Sequence, residues 1–187
     1  VRFSSFNMIT KEIKIIFEVP VVDLNFNYYD AKYVQDGDFL LNDEEVFITA
    51  FRGLNYFWRI PLDLADPTDI SSKSRITTTY EIKGGRIVWY DNETFLYMTT
   101  GDNKLWFYNT RLHEVTNSIT MNRYGSGEMA FSGKYLAYFS SEWSGRGIRM
   151  LDITTNTYFD ATSGYDDIVC SDDTRIFILS PPSGGST

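Results

Sequence analysis

Residues 86–120 read RIVWYDNETFLYMTTGDNKLWFYNTRLHEVTNSIT, four short apolar runs separated by polar turns. Aromatic and β-branched residues favour strands, and Gly, Asp and Asn favour tight turns. We therefore expect strands at 86–90, 94–100, 104–109 and 115–120, and we name them A, B, C and D from the innermost outward. The stretch predicts a four-stranded antiparallel sheet whose strands are joined by hairpins.

The same unit recurs along the chain. A strand ending in Asp or Asn occurs at 3–7, 59–63, 105–109 and 148–152, and a strand pair with a tight polar turn occurs at 39–49, 87–99, 129–139 and 168–179. Four-stranded repeats of about 40–50 residues are the signature of a β-propeller, in which each repeat is one blade. We therefore predict an all-β β-propeller with four blades of four antiparallel strands.

The two ends of the chain predict how this ring closes. Residues 167–179 supply only strands A and B, whereas residues 1–7 and 11–18 supply only strands C and D. Pairing the two in one sheet would remove two open edges, so we predict a fourth blade made of two strands from each terminus. Two alternatives stay open: a segment of a larger propeller, and a β-sandwich, which is also built of short strands with regular turns.

The predicted propeller domain covers residues 1–180, and residues 181–187, PPSGGST, have the composition of a flexible tail or linker. Residues 19–35 are too apolar and aromatic for a loose connection, and we expect an outer strand or a lid there. Strand residues Trp58, Trp89 and Trp106 are expected to fill the space between blades.

The blades resemble the TolB, WD40 and YWTD class of β-propeller repeats. The resemblance rests on strands that end in an apolar residue followed by Asp or Asn, namely Leu62-Asp63, Tyr108-Asn109 and Leu151-Asp152. It covers nearly the whole chain and implies the propeller fold. The Gly-His and Trp-Asp pairs of WD40 repeats are missing, as is the Tyr-Trp-Thr-Asp tetrapeptide, so the resemblance implies no functional residues.

Composition narrows the function. The chain has 17 Lys and Arg against 25 Asp and Glu, with a net charge of −8. Its basic residues are scattered, so we expect no nucleic-acid binding, and the charge indicates an acidic, soluble protein. No apolar stretch of about 18 residues predicts a membrane span. The chain begins at Val1, as expected of a mature or trimmed segment, and the glycosylation pattern Asn92-Glu93-Thr94 favours an extracellular location.

The sequence predicts no catalytic site, no metal site and no cofactor. Cys170 is the single cysteine and His113 the single histidine, which excludes a disulfide and a zinc site, and His113 is expected on the solvated surface. Neighbouring carboxylates could share Ca²⁺, but Asp is also expected in turns for backbone reasons. An enzyme acting at the channel mouth through Asp166 or Asp167 is the weakest hypothesis.

The loop between strands B and C of the third full blade is the best candidate for a binding site. Residues 140–147 read SSEWSGRG, and a Trp beside an Arg is the composition of an interface hot spot. Alternatively, Trp143 folds back over its own blade. In a propeller the B–C and D–A loops share one face, and we predict that this face binds a protein partner, with a glycan as the alternative ligand. The predicted partner-binding residues are Trp143, Arg146, Glu142, Arg52, Asn55, Asp102, Lys104, Arg123, Tyr124, Tyr165 and Asp166.

Overall fold

The structure is a computed structural model. It describes residues 2–18, 39–49, 56–62, 74–80, 82–99, 101–122, 125–140, 147–162, 167–172 and 174–179. These ranges contain β-strands and turns and no helix.

Three four-stranded antiparallel sheets, which we call blades 1 to 3, form the centre of the structure. Each is a simple meander in which neighbours in sequence are neighbours in the sheet. Blade 1 consists of β3 (Phe39–Leu41), β4 (Glu45–Ile48), β5 (Tyr56–Pro61) and β6 (Ser74–Thr77). Blade 2 consists of β7 (Ile82–Trp89), β8 (Thr94–Thr99), β9 (Lys104–Asn109) and β10 (Glu114–Thr120). Blade 3 consists of β11 (Gly125–Ser132), β12 (Tyr135–Ser140), β13 (Gly147–Asp152) and β14 (Thr157–Asp160).

Two hairpins flank the blades. The N-terminal hairpin pairs β1 (Arg2–Phe6) with β2 (Ile13–Glu18), and the C-terminal hairpin pairs β15 (Asp167–Ser171) with β16 (Ile176–Leu179). A strand is therefore present at each position predicted for the four-stranded repeats. Strand A of blade 2, however, begins at Ile82 and not at residue 86. The pairing register shifts between Ile82 and Ile87, so Gly84 and Gly85 form an irregularity inside β7 instead of a turn before it.

The blades pack side by side through their inner strands. Contacts join β3 to β7, β7 to β11 and β11 to β15, so the A strands of consecutive repeats are neighbours. This is the arrangement of a β-propeller, and the predicted all-β, propeller-type fold is confirmed. Blade number and ring closure are not confirmed, because the two terminal hairpins are separate two-stranded sheets in the described part of the chain.

Blade 2 buries both of its faces, each against a different sheet. Side chains alternate along β8, so Phe95 and Tyr97 pack with Phe57 of blade 1, whereas Leu96 and Met98 pack with Leu136 of blade 3. A two-sheet sandwich leaves one face of each sheet to solvent, so this burial contradicts the sandwich alternative. The predicted packing roles of Trp89 and Trp106 are also confirmed, since both side chains pack against the cluster between blades 1 and 2.

The two ends of the blades carry different connections. The A–B and C–D turns meet at one end, which we call the A–B face. There the backbone N–H of Thr110 donates to the Glu93 carbonyl at 2.7 Å, and that of Ile153 donates to the Lys134 carbonyl at 3.0 Å. The B–C and D–A connections meet at the opposite end, which we call the B–C face. There Met121 N–H donates to the Asn103 carbonyl at 2.8 Å.

One turn geometry recurs across the A–B face. Six Asp or Asn side chains each accept hydrogen bonds from the backbone N–H groups two and three residues later, at 2.7–3.3 Å. Asn42, Asp91 and Asp172 do so in A–B turns, and Asn7, Asn109 and Asp152 do so in C–D turns. These Asx turns explain why the repeat reads as strands that end in Asp or Asn.

The terminal hairpins carry complementary turn types. In C–D turns the fourth residue after the Asx residue is left-handed, with φ of 57° at His113 and 53° at Asn156. The N-terminal hairpin has the same geometry, with Asn7 followed by Lys11 at φ 62°. The C-terminal hairpin instead has the A–B turn, because Asp172 N–H donates to the Arg175 carbonyl as Asn42 N–H does to the Glu45 carbonyl. The N-terminal pair thus has the local structure of strands C and D, and the C-terminal pair that of strands A and B.

Candidate functional site

The structure describes two of the predicted partner-binding residues, Asp102 and Lys104, and places both at the B–C turn of blade 2. The predicted lid or outer strand at residues 19–35, the tail at 181–187 and the remaining site residues lie outside the described residues. Those site residues are Trp143, Arg146, Glu142, Arg52, Asn55, Arg123, Tyr124, Tyr165 and Asp166.

Asp102 and Lys104 belong to a connected set of side chains around Thr99. The Thr99 hydroxyl donates to the Asp102 carboxylate, and the Trp106 indole Nε1–H donates to the Thr99 oxygen at 2.9 Å. The backbone N–H of Lys104 donates to Asp102 Oδ1 at 3.2 Å. Lys104 Nζ lies 4.9 Å from the centroid of the Trp106 ring, within cation–π range. The turn therefore displays a carboxylate, an ammonium group and an indole in fixed relative positions.

Connections from both sides hold this turn in place. The Tyr80 ring, from the connection between blades 1 and 2, lies against Gly101 so closely that a Cβ atom there would overlap it. On the other side, Asn103, in left-handed conformation with φ 52°, donates its side-chain N–H to the Met121 carbonyl at 2.8 Å. Because both neighbouring connections contact the turn, it forms a braced platform on the B–C face.

A small pocket opens beside this platform, between blades 1 and 2. Its volume is about 110 Å³, and its lining residues are Thr77, Thr78, Thr79, Tyr80, Tyr97, Thr99, Trp106 and Val115. Tyr97 is only 3% exposed. Burial raises its pKa, and the Asp102 carboxylate raises it further, so the phenol stays protonated and can donate a hydrogen bond.

A buried arginine on the same face was missed by the sequence analysis. Arg149 in β13 is 7% exposed; its Nε donates to Asp160 Oδ1 at 2.6 Å, and its Nη1 donates to Asn122 Oδ1 at 3.0 Å. It therefore anchors Asn122, the residue just before the predicted site residues Arg123 and Tyr124. Arg149 could have been found from its position in strand C between the apolar residues Ile148 and Leu151. A charged side chain that is buried there needs a partner.

The A–B face has the larger opening of the two. A cavity of about 1060 Å³ lies between the inner strands, lined by residues 40–43, 87–92, 129–133 and 171–172. At its rim Asp91 and Asp172 each bind two backbone N–H groups, which gives these carboxylates a role in the turns. Within the described ranges, no three His, Cys, Asp or Glu side chains are grouped so as to hold a metal ion.

His113 also has a structural role on this face. Its Nε2 lies 3.5 Å from Glu45 Oε2, and Arg59 Nε lies 3.0 Å from Glu45 Oε1. Glu45 and Arg59 belong to blade 1, whereas His113 belongs to the C–D turn of blade 2. The expected solvated histidine is thus partly exposed but also joins two blades.

Comparison with known proteins gives no family. No protein-family model matches the chain, and no curated protein matches it. Among solved structures, apo AztD from Citrobacter koseri matches with 14% identity over 65% of this chain and 33% of that chain, at a TM-score of 0.40. The Pan2 WD40 domain from Neurospora crassa matches with 13% identity over 76% of this chain and 45% of that chain, at a TM-score of 0.46. This chain thus spans less than half of each of these proteins, and no function follows from the matches.

The described ranges contain no helix of the length and apolar character needed to cross a bilayer.

Proposed function

We propose that this chain is a non-enzymatic binding module whose B–C face engages a protein partner. The observation that carries the proposal is the braced platform of Asp102, Lys104 and Trp106. Hot spots pair an aromatic ring with charged groups on a surface that is already ordered, because an ordered surface loses little entropy on binding. The platform has this composition, and both neighbouring connections support it.

The loops that carry the other predicted site residues would extend this platform. In an antiparallel meander the B–C and D–A connections share one end, so we expect the loop bearing Trp143 and Arg146 to lie on the same face as Lys104. We propose that Trp143 supplies a second aromatic anchor and that Arg146, Arg123 and Tyr124 surround it. The mixed charge of these residues fits a protein surface with both acidic and basic groups.

Quantitative affinity capture tests this proposal. The wild-type chain and the variants Lys104→Ala, Trp143→Ala and Arg146→Ala serve as baits, and Thr155→Ala on the A–B face is the matched surface control. We expect at least one protein species to be retained by wild type and control and lost from the B–C face variants, with unchanged melting temperatures. Equal retention by all five baits would show that the B–C face does not bind the partner.

Glycan binding is the second candidate function, and the pocket of rings and hydroxyl groups between blades 1 and 2 favours it. Its size argues against a whole sugar ring, because a cavity known to bind benzene has a volume of about 150 Å³ and this pocket is smaller. Binding on a glycan array that is lost in Trp106→Ala would support the glycan and displace the protein partner as the main ligand.

We also propose that the terminal hairpins together form a fourth blade. Their complementary C–D and A–B turn types support this, since each hairpin has the local structure that the other lacks. Cysteines placed on β1 and β16, as in Ser4→Cys with Phe177→Cys in a Cys170→Ser background, test it. A disulfide that forms in the monomer and leaves the fold intact is expected. If no pair of positions along these strands cross-links, closure is excluded.

A further inference from the structure

The pocket between blades 1 and 2 contains a buried phenol for which the described part of the chain offers no hydrogen-bond partner. Tyr97 is 3% exposed, and the contacts it makes are with aromatic rings, those of Phe57 and Phe95. A ligand in the pocket can accept a hydrogen bond from the Tyr97 hydroxyl.

The other polar groups of the pocket fall into two kinds. Thr78 and Thr99 are committed, because Thr78 donates to the Tyr80 carbonyl at 2.6 Å and Thr99 bonds both Asp102 and Trp106. Thr77 and Thr79 line the pocket, and their side chains make no hydrogen bond within the described ranges, so their hydroxyl groups are available to a ligand. The pocket thus offers one buried donor and two adaptable hydroxyl groups.

The residues that line the pocket disfavour charged ligands and large ligands. None of the described residues that line the pocket is charged, while the Tyr80, Tyr97 and Trp106 rings and the Val115 methyl groups make its walls largely apolar. Asp102, bonded to Thr99 at the pocket edge, disfavours an anion, and Lys104 over the Trp106 ring disfavours a cation. A volume of about 110 Å³ suits an amino-acid side chain better than a larger ligand.

We propose that this pocket receives the carboxamide of an Asn or Gln side chain from the protein partner, whose carbonyl oxygen accepts a hydrogen bond from Tyr97. The amide NH₂ group donates to Thr77 or Thr79, and the planar amide lies against the aromatic walls. An aliphatic side chain could not accept a hydrogen bond from Tyr97, and a carboxylate would be repelled by Asp102. This inference rests on the proposed protein-binding function of the B–C face.

Acetamide, which is the isolated carboxamide, is the probe that tests the pocket. Threonine methyl resonances of the ¹³C-labelled protein are followed during titration with acetamide, and separately with acetate and with methylammonium as charged controls. We expect saturable shifts confined to Thr77, Thr78, Thr79 and Thr99 with acetamide alone. Shifts that do not saturate, or that acetate reproduces, would overturn the proposal.

Two tyrosine variants separate recognition from packing. Tyr97→Phe removes only the hydroxyl and keeps the ring, and we expect it to raise the acetamide Kd by about 3- to 10-fold while leaving the stability close to that of wild type. Tyr108→Phe is the matched control, because Tyr108 is also a buried phenol of blade 2, at 1% exposed, but lies outside the pocket lining. Equal affinity in Tyr97→Phe and wild type would overturn the assigned hydrogen bond.

A variant that fills the pocket tests whether the partner binds there. Val115 is 41% exposed on β10, so Val115→Trp can fill the pocket without entering the core. We expect it to abolish acetamide shifts and to weaken capture of the partner, as Tyr97→Phe does. If acetamide binds but both variants capture the partner normally, the carboxamide inference is wrong and the proposed function stands. If the Lys104, Trp143 and Arg146 variants also capture normally, the proposed function fails as well.

Discussion

The A–B face and the B–C face of this molecule use their polar residues differently. On the A–B face, Asp and Asn side chains repeat at equivalent positions and bind the backbone of their own turns. On the B–C face, the polar residues of blade 2 hold one turn as a platform, and the corresponding turns of blades 1 and 3 lie outside the described residues. The contrast teaches that the repeated Asp and Asn residues shape the blades, whereas the platform displays side chains that are candidates for recognition.

The largest expected effect comes from a pair of glycine substitutions, one on each face. Gly101→Val pushes the Tyr80 ring away from the B–C turn, and overpacking of this kind lowers the free energy of unfolding by about 1–3 kcal/mol. Gly133→Ala forces a side chain into a left-handed position, φ 60°, in an A–B turn and costs about 1–2 kcal/mol. Chemical denaturation first measures the stability of the two variants. Affinity capture then tests partner binding, and we expect only Gly101→Val to abolish it. Loss of capture in both variants would show that the faces are not separable.

Removing one Asx turn tests whether the A–B face is structural. Asn109→Ala deletes the acceptor for the Arg111 and Leu112 N–H groups, bound at 3.0 and 2.8 Å, so we expect a loss of about 1–2 kcal/mol in unfolding free energy. Asn109→Asp keeps the acceptor and should keep most of the stability. Urea denaturation measures both, and partner capture should be the same as for wild type. A capture defect in Asn109→Ala would assign recognition to this face too.

The Asp152 turn makes part of this stability depend on pH. Hydrogen bonds from Lys134, at 2.5 Å, and from Thr154 hold the pKa of Asp152 well below its ordinary value of 3.8. A lowered native pKa stabilises the fold above the unfolded pKa, and this contribution is lost as the pH falls through the native pKa. We therefore expect Asp152→Asn to be less stable than wild type at pH 7, with a difference that shrinks steadily below about pH 4.

Urea midpoints at pH 7 and at successive acidic values measure this difference. Asn109→Ala is the control, since its side chain does not titrate and its deficit should persist in acid. A difference between wild type and Asp152→Asn that stays constant down to pH 2 would contradict the lowered pKa.

The smallest expected effect on stability is that of Lys104→Met. The cation–π contact with Trp106 is partly exposed and contributes about 0.5–1 kcal/mol. We expect a melting temperature within about 2–4 °C of wild type. Partner capture should nevertheless fall, because the ammonium group is displayed by the platform. Normal capture by Lys104→Met would restrict the recognition surface to the neighbouring loops.

Local patterns predicted the blades well, because each strand is encoded in a few adjacent residues. Strand C of blade 2 was expected at 104–109 and lies at Lys104–Asn109. The Asp and Asn residues that revealed the repeat prove to be turn residues, so the signal had a direct physical cause. The extension of β7 through Gly84 and Gly85 was missed, since glycines indicate a turn when no partner strand is known.

The candidate site was much less predictable. The sequence placed Asp102 and Lys104 on the right face, but it could not show that Thr99 and Trp106 connect them, because those contacts depend on the register between β8 and β9. The pocket around Tyr97 combines residues from blades 1 and 2 that are up to 38 positions apart. The contacts of His113 and Arg149 were missed for the same reason, since their partners Glu45 and Asn122 lie in other repeats or connections.

Because the side chains of β8 alternate between two different clusters, the blades cannot exchange places in the chain. Toward blade 1 it presents the rings of Phe95 and Tyr97, which meet Phe57 edge-on or tilted. Toward blade 3 it presents Leu96 and Met98, which join Met121 and Met129 in a thioether-rich seam. Packed aromatic rings require particular relative orientations, whereas methionines adapt to many. Duplicating or shuffling these modules would therefore bring mismatched surfaces together.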